Sequence, residues 1–168
     1  MQAFIDLLKE HGVEKVADVR TIPRSRHNPQ FNRETLPDQL KAARMGYIHL
    51  PDLGGLRHAL RDSPNGGWRN ASFRGYADYM QTEAFGKALE GLIQLSIEAQ
   101  VALMCAEAVP WRCHRSLVAD ALKIRGIVVE HIVGSKKRQV HKLTPWARVD
   151  GETITYPSSE DTKSNSGS

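Results

Sequence analysis

The sequence lacks several features that would place the protein in a specialised class. It contains no run of about 18 apolar residues, so no transmembrane helix and no membrane partner are expected. No charged stretch followed by an apolar stretch stands at its start, which argues against a secretory signal. Only two cysteines occur among 168 residues, which is too few for a disulfide framework and typical of a reducing compartment. These absences predict a cytoplasmic protein.

The net charge of +4 is small but unevenly distributed. Residues 20–74 hold ten Lys and Arg residues against four Asp and Glu residues, whereas the rest of the chain has a slight acidic excess. A basic segment favours a phosphate-bearing small molecule or a nucleic acid as partner, and it is also what a solubilising surface would show. The sequence indicates no oligomeric state.

Three segments repeat one order of features, in which a helical pattern ends at a glycine and leads into a short apolar run. The glycines, Gly12, Gly46 and Gly126, suit the left-handed conformation that often follows a helix. The predicted helices are residues 2–11, 34–45 and 116–125, and the predicted strands are residues 13–19, 47–50 and 127–132. Residues 76–99 also read as helical, with a break near Gly86, and precede a strand at residues 101–105.

Alternating helices and strands predict an α/β fold, specifically a three-layer sandwich with a mostly parallel sheet. A C-terminal β-hairpin is expected around the turn Asp150–Gly151. Residues 52–75, rich in Gly, Arg, Asn and Ser, predict a long functional loop. We expect one domain over residues 1–157 and a disordered tail over residues 158–168.

The first candidate site lies where the strand at 101–105 gives way to the helix at 116–125. The helix start favours negative charge there, because its free N–H groups and dipole are positive. Cys105 and Cys113 are therefore candidate thiolates, and Glu107 is a candidate general base. The alternative is that both cysteines are buried structural residues, which are common in proteins. His114 and Arg115 follow as candidate anion ligands.

A metal site is not expected. Seven residues separate the two cysteines, and no second Cys/His pair has zinc-finger spacing. Six residues stand between Cys105 and Arg112, where a phosphatase loop has five, so that geometry would have to differ. The sequence points to no particular cofactor.

Two further groups of polar residues follow other predicted strands and should emerge at the same sheet edge as Cys105. Arginine forks suit bidentate recognition of phosphate or carboxylate, and a glycine pair permits close backbone approach. The candidate anion-binding residues in these groups are Arg20, Arg24, Ser25, Arg26, Gly54, Gly55 and Arg57. A solvated charged loop is the alternative interpretation.

Four motifs in order resemble the DUF488 family of uncharacterised, mostly bacterial proteins. They are Asp18-Val19-Arg20 with Pro23-Arg24-Ser25-Arg26 and Phe31; Tyr47 and His49 with Leu53-Gly54-Gly55 and Arg57; Cys105-Ala106-Glu107 with Pro110 and Cys113-His114-Arg115; and His131-Ile132 with His141, Leu143, Thr144 and Pro145. The resemblance implies an α/β fold with polar residues clustered at strand ends, and it implies no established reaction. Members usually begin with a further strand that ends in a Gly-His-Ser-like turn. This chain starts at Met1 directly on the first helix, so we expect a truncated or misplaced start.

The leading hypothesis is a protein that binds a phosphorylated or nucleotide-like ligand in an arginine-lined pocket. Whether it acts on that ligand as an enzyme stays open. One rival is a nucleic-acid-binding module that uses the basic segment with Trp68, Phe73 and Tyr76 for base stacking. The other is a thiol-based redox or sulfur-transfer protein.

Overall fold

Three short parallel strands form the centre of the computed structural model, which describes residues 1–105 and 113–160. Strand β1 (Lys15–Asp18) lies between β2 (Gly46–His49) and β3 (Val101–Met104). Asp18 is in register with His49 and Met104, so the three strands end at one edge of the sheet. The expected parallel sheet and the α/β class are confirmed.

Five helices accompany these strands within the described residues. They are α1 (Gln2–Glu10), α2 (Leu36–Ala42), α3 (Ala71–Tyr79), α4 (Glu83–Glu98) and α5 (Arg115–Ile124). Single turns of 3-10 helix occur at Pro29–Phe31 and Pro51–Leu53. Two antiparallel hairpins follow α5: β4 (Glu130–Gly134) with β5 (Lys137–Val140), and β6 (Arg148–Asp150) with β7 (Thr153–Thr155). The second is the hairpin expected around Asp150–Gly151.

Alternate residues of β1 belong to different apolar clusters. Val16 packs with buried side chains of α1 and α2, including Ile5, Leu8 and Leu40. Ala17 belongs to a larger cluster with side chains of α3, α4 and α5. Successive strand residues point to opposite faces, so both faces of β1 carry apolar contacts. The sandwich of three layers, like the single domain over 1–157, stays a prediction.

The structure corrects the prediction of a strand at residues 127–132. Only Glu130–Gly134 is a strand, and it pairs antiparallel with β5 instead of joining the parallel sheet. Val128 is 78% exposed, so the apolar run is not the core strand that it resembles. Ser135 and Lys136 connect the two strands, and Lys136 adopts a positive φ of 58°. The left-handed position is a lysine, not a glycine or asparagine, and the sequence analysis therefore identified no hairpin here.

Two helix ends also differ from the prediction. The break expected near Gly86 lies at residues 80–82, because Thr82 begins α4 and its hydroxyl accepts a hydrogen bond from Phe85 N. Gly12 and Gly126 have the expected positive φ, of 69° and 82°. After α2 it is Arg44, not Gly46, that adopts the left-handed conformation, with φ 63°.

The loop predicted over residues 52–75 ends at Asn70, since residues 71–75 belong to α3, and one buried carboxylate holds it. Asp78 of α3 accepts hydrogen bonds from Leu60 N, the Ser63 hydroxyl and Asn65 Nδ2 at 2.6–2.8 Å. Asn70 then begins α3, its side chain accepting from Ser72 N at 2.8 Å. These contacts bring the end of the loop to the edge at which the strands finish. The tail expected at 158–168 stays a prediction, since residues 161–168 lie outside the described part.

Candidate functional site

A cavity of about 440 Å³ opens at the edge where β1 and β3 end. Its polar wall comes from segments that follow strands and from the start of α5: Arg20, Thr21, Gly55, Cys105, Cys113 and His114. Its apolar wall includes Ile22, Leu56, Phe73 and Tyr76. The sequence prediction that motifs from several strand ends converge here therefore holds for this subset of residues.

The two cysteines lie together in this cavity. Cys113, 5% exposed, stands just before α5, and Cys105 directly follows β3 and is half-buried. Arg115 N donates to Cys113 Sγ at 3.4 Å, and His114 Nδ1 lies 3.6 Å from the same sulfur. Cys105 also hydrogen-bonds to Cys113. The sulfur of Cys113 thus has three groups around it that stabilise negative charge.

These contacts lower the pKa of Cys113 to about 4. The hydrogen bond from Cys105 is the largest cause; burial opposes it by raising the pKa, and the hydrogen bond and charge of His114 lower it further. A thiolate, not a thiol, is the nucleophile in sulfur chemistry. Cys113 is therefore a candidate nucleophile.

The ring of His114 is oriented by a main-chain carbonyl. Its Nε2 lies 3.1 Å from Val19 O, and a carbonyl only accepts, so Nε2 carries a proton. Nδ1 then either accepts from the Cys113 thiol or, in the imidazolium form, donates to the thiolate. One proton is shared between Cys113 and His114. Tyr76 packs on this ring with centroids 4.9 Å apart, which fixes its position.

Gly54 and Gly55 allow close packing on both sides of the loop that follows β2. A Cβ on Gly54 would collide with the hydroxyl and backbone of Thr21, whose hydroxyl donates to Gly55 O at 2.8 Å. A Cβ on Gly55 would lie 3.3 Å from His114 Nδ1. The pair therefore lets the loop after β2 approach the loop after β1 and the imidazole of His114.

Arg20 lines the cavity but is largely occupied by internal contacts. Its Nε and Nη2 donate to the two oxygens of Asp18 at 2.9 and 2.8 Å, and Nη2 also donates to Phe31 O. The Tyr47 hydroxyl donates to Asp18 Oδ2 at 2.6 Å. Burial alone would lower the pKa of Arg20, but its bond to Asp18 and the charge of that carboxylate raise it. Arg20 is a permanent cation that ties the loop after β1 to the strand.

The other predicted anion ligands do not meet at this cavity. Arg24 and Arg26 are exposed, and Ser25 is engaged with Asn28 N and Asn32 Oδ1. Arg57 donates to Gly54 O, and its guanidinium stacks 3.7 Å above the Tyr79 ring.

Arg115 lines a different cavity, and its neighbour His114 lines this one. Glu107, the general base predicted from the sequence, lies outside the described residues, and so does Arg112. Thr21 was missed as a site residue, and Tyr76 was named only as a ring for base stacking. Position directly after a strand, the signal used for Arg20, would also have indicated Thr21.

Of the aromatic residues proposed for base stacking, Tyr76 is buried, and Trp68 and Phe73 are half-buried. Tyr76 is 1% exposed, and its hydroxyl donates to Leu53 O at 2.8 Å. The Trp68 ring contacts Phe73, Trp146 and Tyr156 at centroid distances of 4.9–5.4 Å. The prediction that these three rings are available for stacking on bases is therefore wrong for Tyr76.

The sequence model described as a domain of unknown function, DUF488, matches residues 1–122 of the 168. The chain belongs to the DUF488 family. The match covers α1 to the greater part of α5, and therefore both cysteines of this DUF488 protein and every strand end that lines the cavity. No curated protein and no solved structure matches the chain. None of the helices in residues 1–105 and 113–160 has the length and hydropathy needed to cross a bilayer.

Proposed function

We propose that Cys113 and Cys105 form a dithiol that exchanges with the disulfide bonds of small molecules. The observation that carries the proposal is the placement of both sulfurs and the His114 imidazole on the wall of one cavity. A dithiol that carries out thiol–disulfide exchange needs an attacking thiolate and a second thiol within reach of it. The apolar wall of Leu56, Phe73 and Tyr76 suits an uncharged substrate of low molecular weight.

The reaction would proceed in two displacements. Cys113 Sγ⁻ attacks one sulfur of the substrate disulfide, the S–S bond breaks, and the leaving thiolate takes a proton from His114 Nδ1. Cys105 then gives its proton to His114 and attacks Cys113 Sγ, which releases the second half of the substrate. That half takes the same proton from His114. Two electrons pass to the substrate, which leaves as two thiols, and an external dithiol must reduce the protein for another cycle.

The test uses bis(2-hydroxyethyl) disulfide and mass spectrometry of the intact, reduced protein. The wild type is expected to form the Cys105–Cys113 disulfide without a stable adduct. Cys105→Ser is expected to accumulate a mixed disulfide at Cys113, because the second displacement has no thiol. Cys113→Ser is expected to react at least tenfold more slowly, since it removes the sulfur that Arg115 N and His114 stabilise as a thiolate. Equal rates for the two variants, or an unreactive wild type, would overturn the proposal.

The thiolate itself is tested by the pH dependence of alkylation. We expect iodoacetamide to modify Cys113 at about pH 5 almost as fast as at about pH 8, well below the ordinary thiol pKa of about 8.5. His114→Gln removes one cause of the lowered pKa and should shift the rate profile to higher pH. A wild-type profile centred near the ordinary thiol pKa would contradict the assignment of Cys113 as the nucleophile.

A phosphorylated or nucleotide-like ligand is the second candidate for the same cavity. Arg20 and the protonated form of His114 on its wall favour it. Two observations count against an anionic ligand. A Cys113 thiolate would repel it, and four of the predicted arginine ligands lie away from this cavity: Arg24, Arg26, Arg57 and Arg115. Thermal shifts with phosphate-bearing ligands would decide: stabilisation that Cys113→Ser strengthens would favour an anion at this cavity.

A further inference from the structure

Leu56 has a backbone conformation that is unfavourable for a residue with a side chain. Its φ is 60°, in the left-handed region where Cβ crowds the following carbonyl oxygen. Two other non-glycine residues of the described part have a positive φ, namely Arg44 after α2 and Lys136 in the turn between β4 and β5, and both are polar. The glycine pair directly before Leu56 does not take this conformation. The strain therefore falls on an apolar residue that has glycines beside it in the chain.

The chain is held in place on both sides of Leu56. Before it, Gly55 O accepts a hydrogen bond from the Thr21 hydroxyl at 2.8 Å. After it, the backbone lies against α3, since a Cβ on Gly75 would collide with Arg57 O. The Arg57 side chain also donates to the main-chain carbonyl three residues earlier, at 3.2 Å. Leu56 takes the conformation that joins these two fixed points.

The side chain of Leu56 contributes little to the core of the protein. Leu56 is 76% exposed, and it lies outside both apolar clusters of the described residues. Glycine or asparagine would accept the left-handed conformation more readily than leucine. Neither the backbone nor the core therefore accounts for a leucine at this position. Strained residues held by their surroundings cluster at binding sites, which makes the cavity the place to look for its role.

A second exposed apolar side chain lines the same cavity. Ile22 is 65% exposed, and it lines the cavity together with Leu56 and Phe73. The hydrogen bond between Thr21 and Gly55 joins the residues that directly precede Ile22 and Leu56, so the two side chains come from adjoining segments. Leu56 and Ile22 together form an apolar lip of the cavity.

We propose that the apolar lip binds the hydrocarbon groups of the disulfide substrate, and thereby selects alkyl disulfides over hydroxylated disulfides of the same size. The inference rests on the proposed dithiol exchange, because it assigns the lip to the substrate of Cys113. The lip shares one cavity with both cysteines. An alkyl group laid on it removes apolar surface from water, which is favourable, whereas a hydroxyl group laid on it loses hydrogen bonds to water. Leu56 and Ile22 are therefore specificity-determining residues.

The first test compares two disulfides of equal size. Dipropyl disulfide carries a terminal methyl group where bis(2-hydroxyethyl) disulfide carries a hydroxyl group. The rate of each with the reduced full chain is divided by its rate with free dithiothreitol. A single methylene in an apolar pocket changes discrimination by roughly 10- to 200-fold, so we expect the wild type to prefer dipropyl disulfide at least tenfold. Leu56→Asn should lower this preference at least fivefold, and Ile22→Thr should lower it in the same direction.

Leu60→Asn is the matched control, because Leu60 is an exposed leucine of the same loop that does not line the cavity. Its preference should equal that of the wild type. Leu56→Asn should unfold at a temperature no lower than the wild type, since asparagine tolerates the left-handed conformation. A lower Tm would mean that the fold itself uses the leucine side chain. An unchanged preference in Leu56→Asn would mean that the substrate does not touch it, and either result would refute the proposal.

An unreactive ligand separates this inference from the dithiol exchange. N-phenyl-1-naphthylamine is uncharged and fluoresces more strongly in apolar surroundings. It should bind the wild type and Leu60→Asn saturably and alike, and Leu56→Asn at least fivefold more weakly. Absence of saturable binding to the wild type, or equal binding by Leu56→Asn, would contradict the apolar lip even if disulfides react. The expected binding combined with no reaction of either disulfide would refute the dithiol exchange and leave the lip as a binding site.

Discussion

Arg20 shows how one residue can satisfy a sequence motif and still have another role. Its fork is matched to the Asp18 carboxylate two residues earlier, and both side chains are buried. Taking two charges out of water is costly, and the pair is tolerated because Tyr47 and the backbone complete the hydrogen bonds of the carboxylate. The motif is therefore chiefly an anchor that sets where Thr21 and the cavity wall lie.

Asp18→Asn should destabilise the protein by about 3–5 kcal/mol, because it leaves the buried Arg20 cation without its counter-charge. Urea unfolding followed by circular dichroism would measure the loss. Glu83→Gln is the matched control, since it removes an exposed ion pair with Lys87 one helical turn away. Such a pair contributes about 0.3–0.5 kcal/mol, so comparable losses in the two variants would contradict the buried role of Asp18.

The sequence predicted the neighbourhood of Cys105, Cys113 and His114 but not the separation of His114 from Arg115. The first prediction holds because parallel strands end at one edge of the sheet. Residues that directly follow such strands in the sequence therefore lie close together. The second depends on rotation, since residues one apart on a helix point about 100° away from each other. Sequence spacing alone treats His114 and Arg115 as one cluster, whereas the start of α5 distributes them to two cavities.

Elements were predictable where a strong periodic pattern coincided with a local stop signal. Gly12 and Gly126 end α1 and α5 as expected, with positive φ. The hairpin of β4 and β5 was missed because its turn uses Lys136 at φ 58°, a conformation for which lysine gives no signal.

Gly86→Ala should stabilise the protein by about 0.5–1 kcal/mol. Gly86 lies inside α4, not at a break, and a Cβ there would meet no other atom within 4 Å. Thermal unfolding would show the gain. Gly126→Ala is the matched control with the opposite sign, because its φ of 82° is strained for alanine. A loss of stability in Gly86→Ala would indicate that the helix is interrupted at this residue after all.

At the scale of the molecule, the start of α5 and the end of β3 separate two chemically different cavities. The cavity at the strand ends contains a thiol pair, and the cavity lined by β3, α5 and β4 contains His131, which is connected through His141 to the buried Asp120 carboxylate. Both rely on the same helix, which contributes Arg115 and Asp120 and begins just after Cys113. Displacement of α5 should therefore alter both cavities together, and Arg115, which lines one cavity and donates its N–H to Cys113 in the other, links them directly.

The lowered pKa of Cys113 couples its chemistry to the stability of the whole fold. A thiol with a pKa of about 4 in the folded state and the ordinary value of about 8.5 in the unfolded state stabilises the fold fully only above the unfolded value. Between these values the unfolded chain binds more protons, so the contribution of Cys113 falls as pH falls, by at most about 1.4 kcal/mol per pH unit. Cys113→Ser has no such titration.

We therefore expect the free energy of unfolding of the wild type, minus that of Cys113→Ser, to rise with pH across this window. Urea unfolding of both reduced proteins at a series of pH values would measure it. His131, whose pKa is also lowered, contributes a change of the same sign, but it is present in both proteins and cancels in the difference. A difference that stays constant with pH would mean that Cys113 titrates alike in the folded and unfolded chains, and it would remove the electrostatic basis of the proposed thiolate.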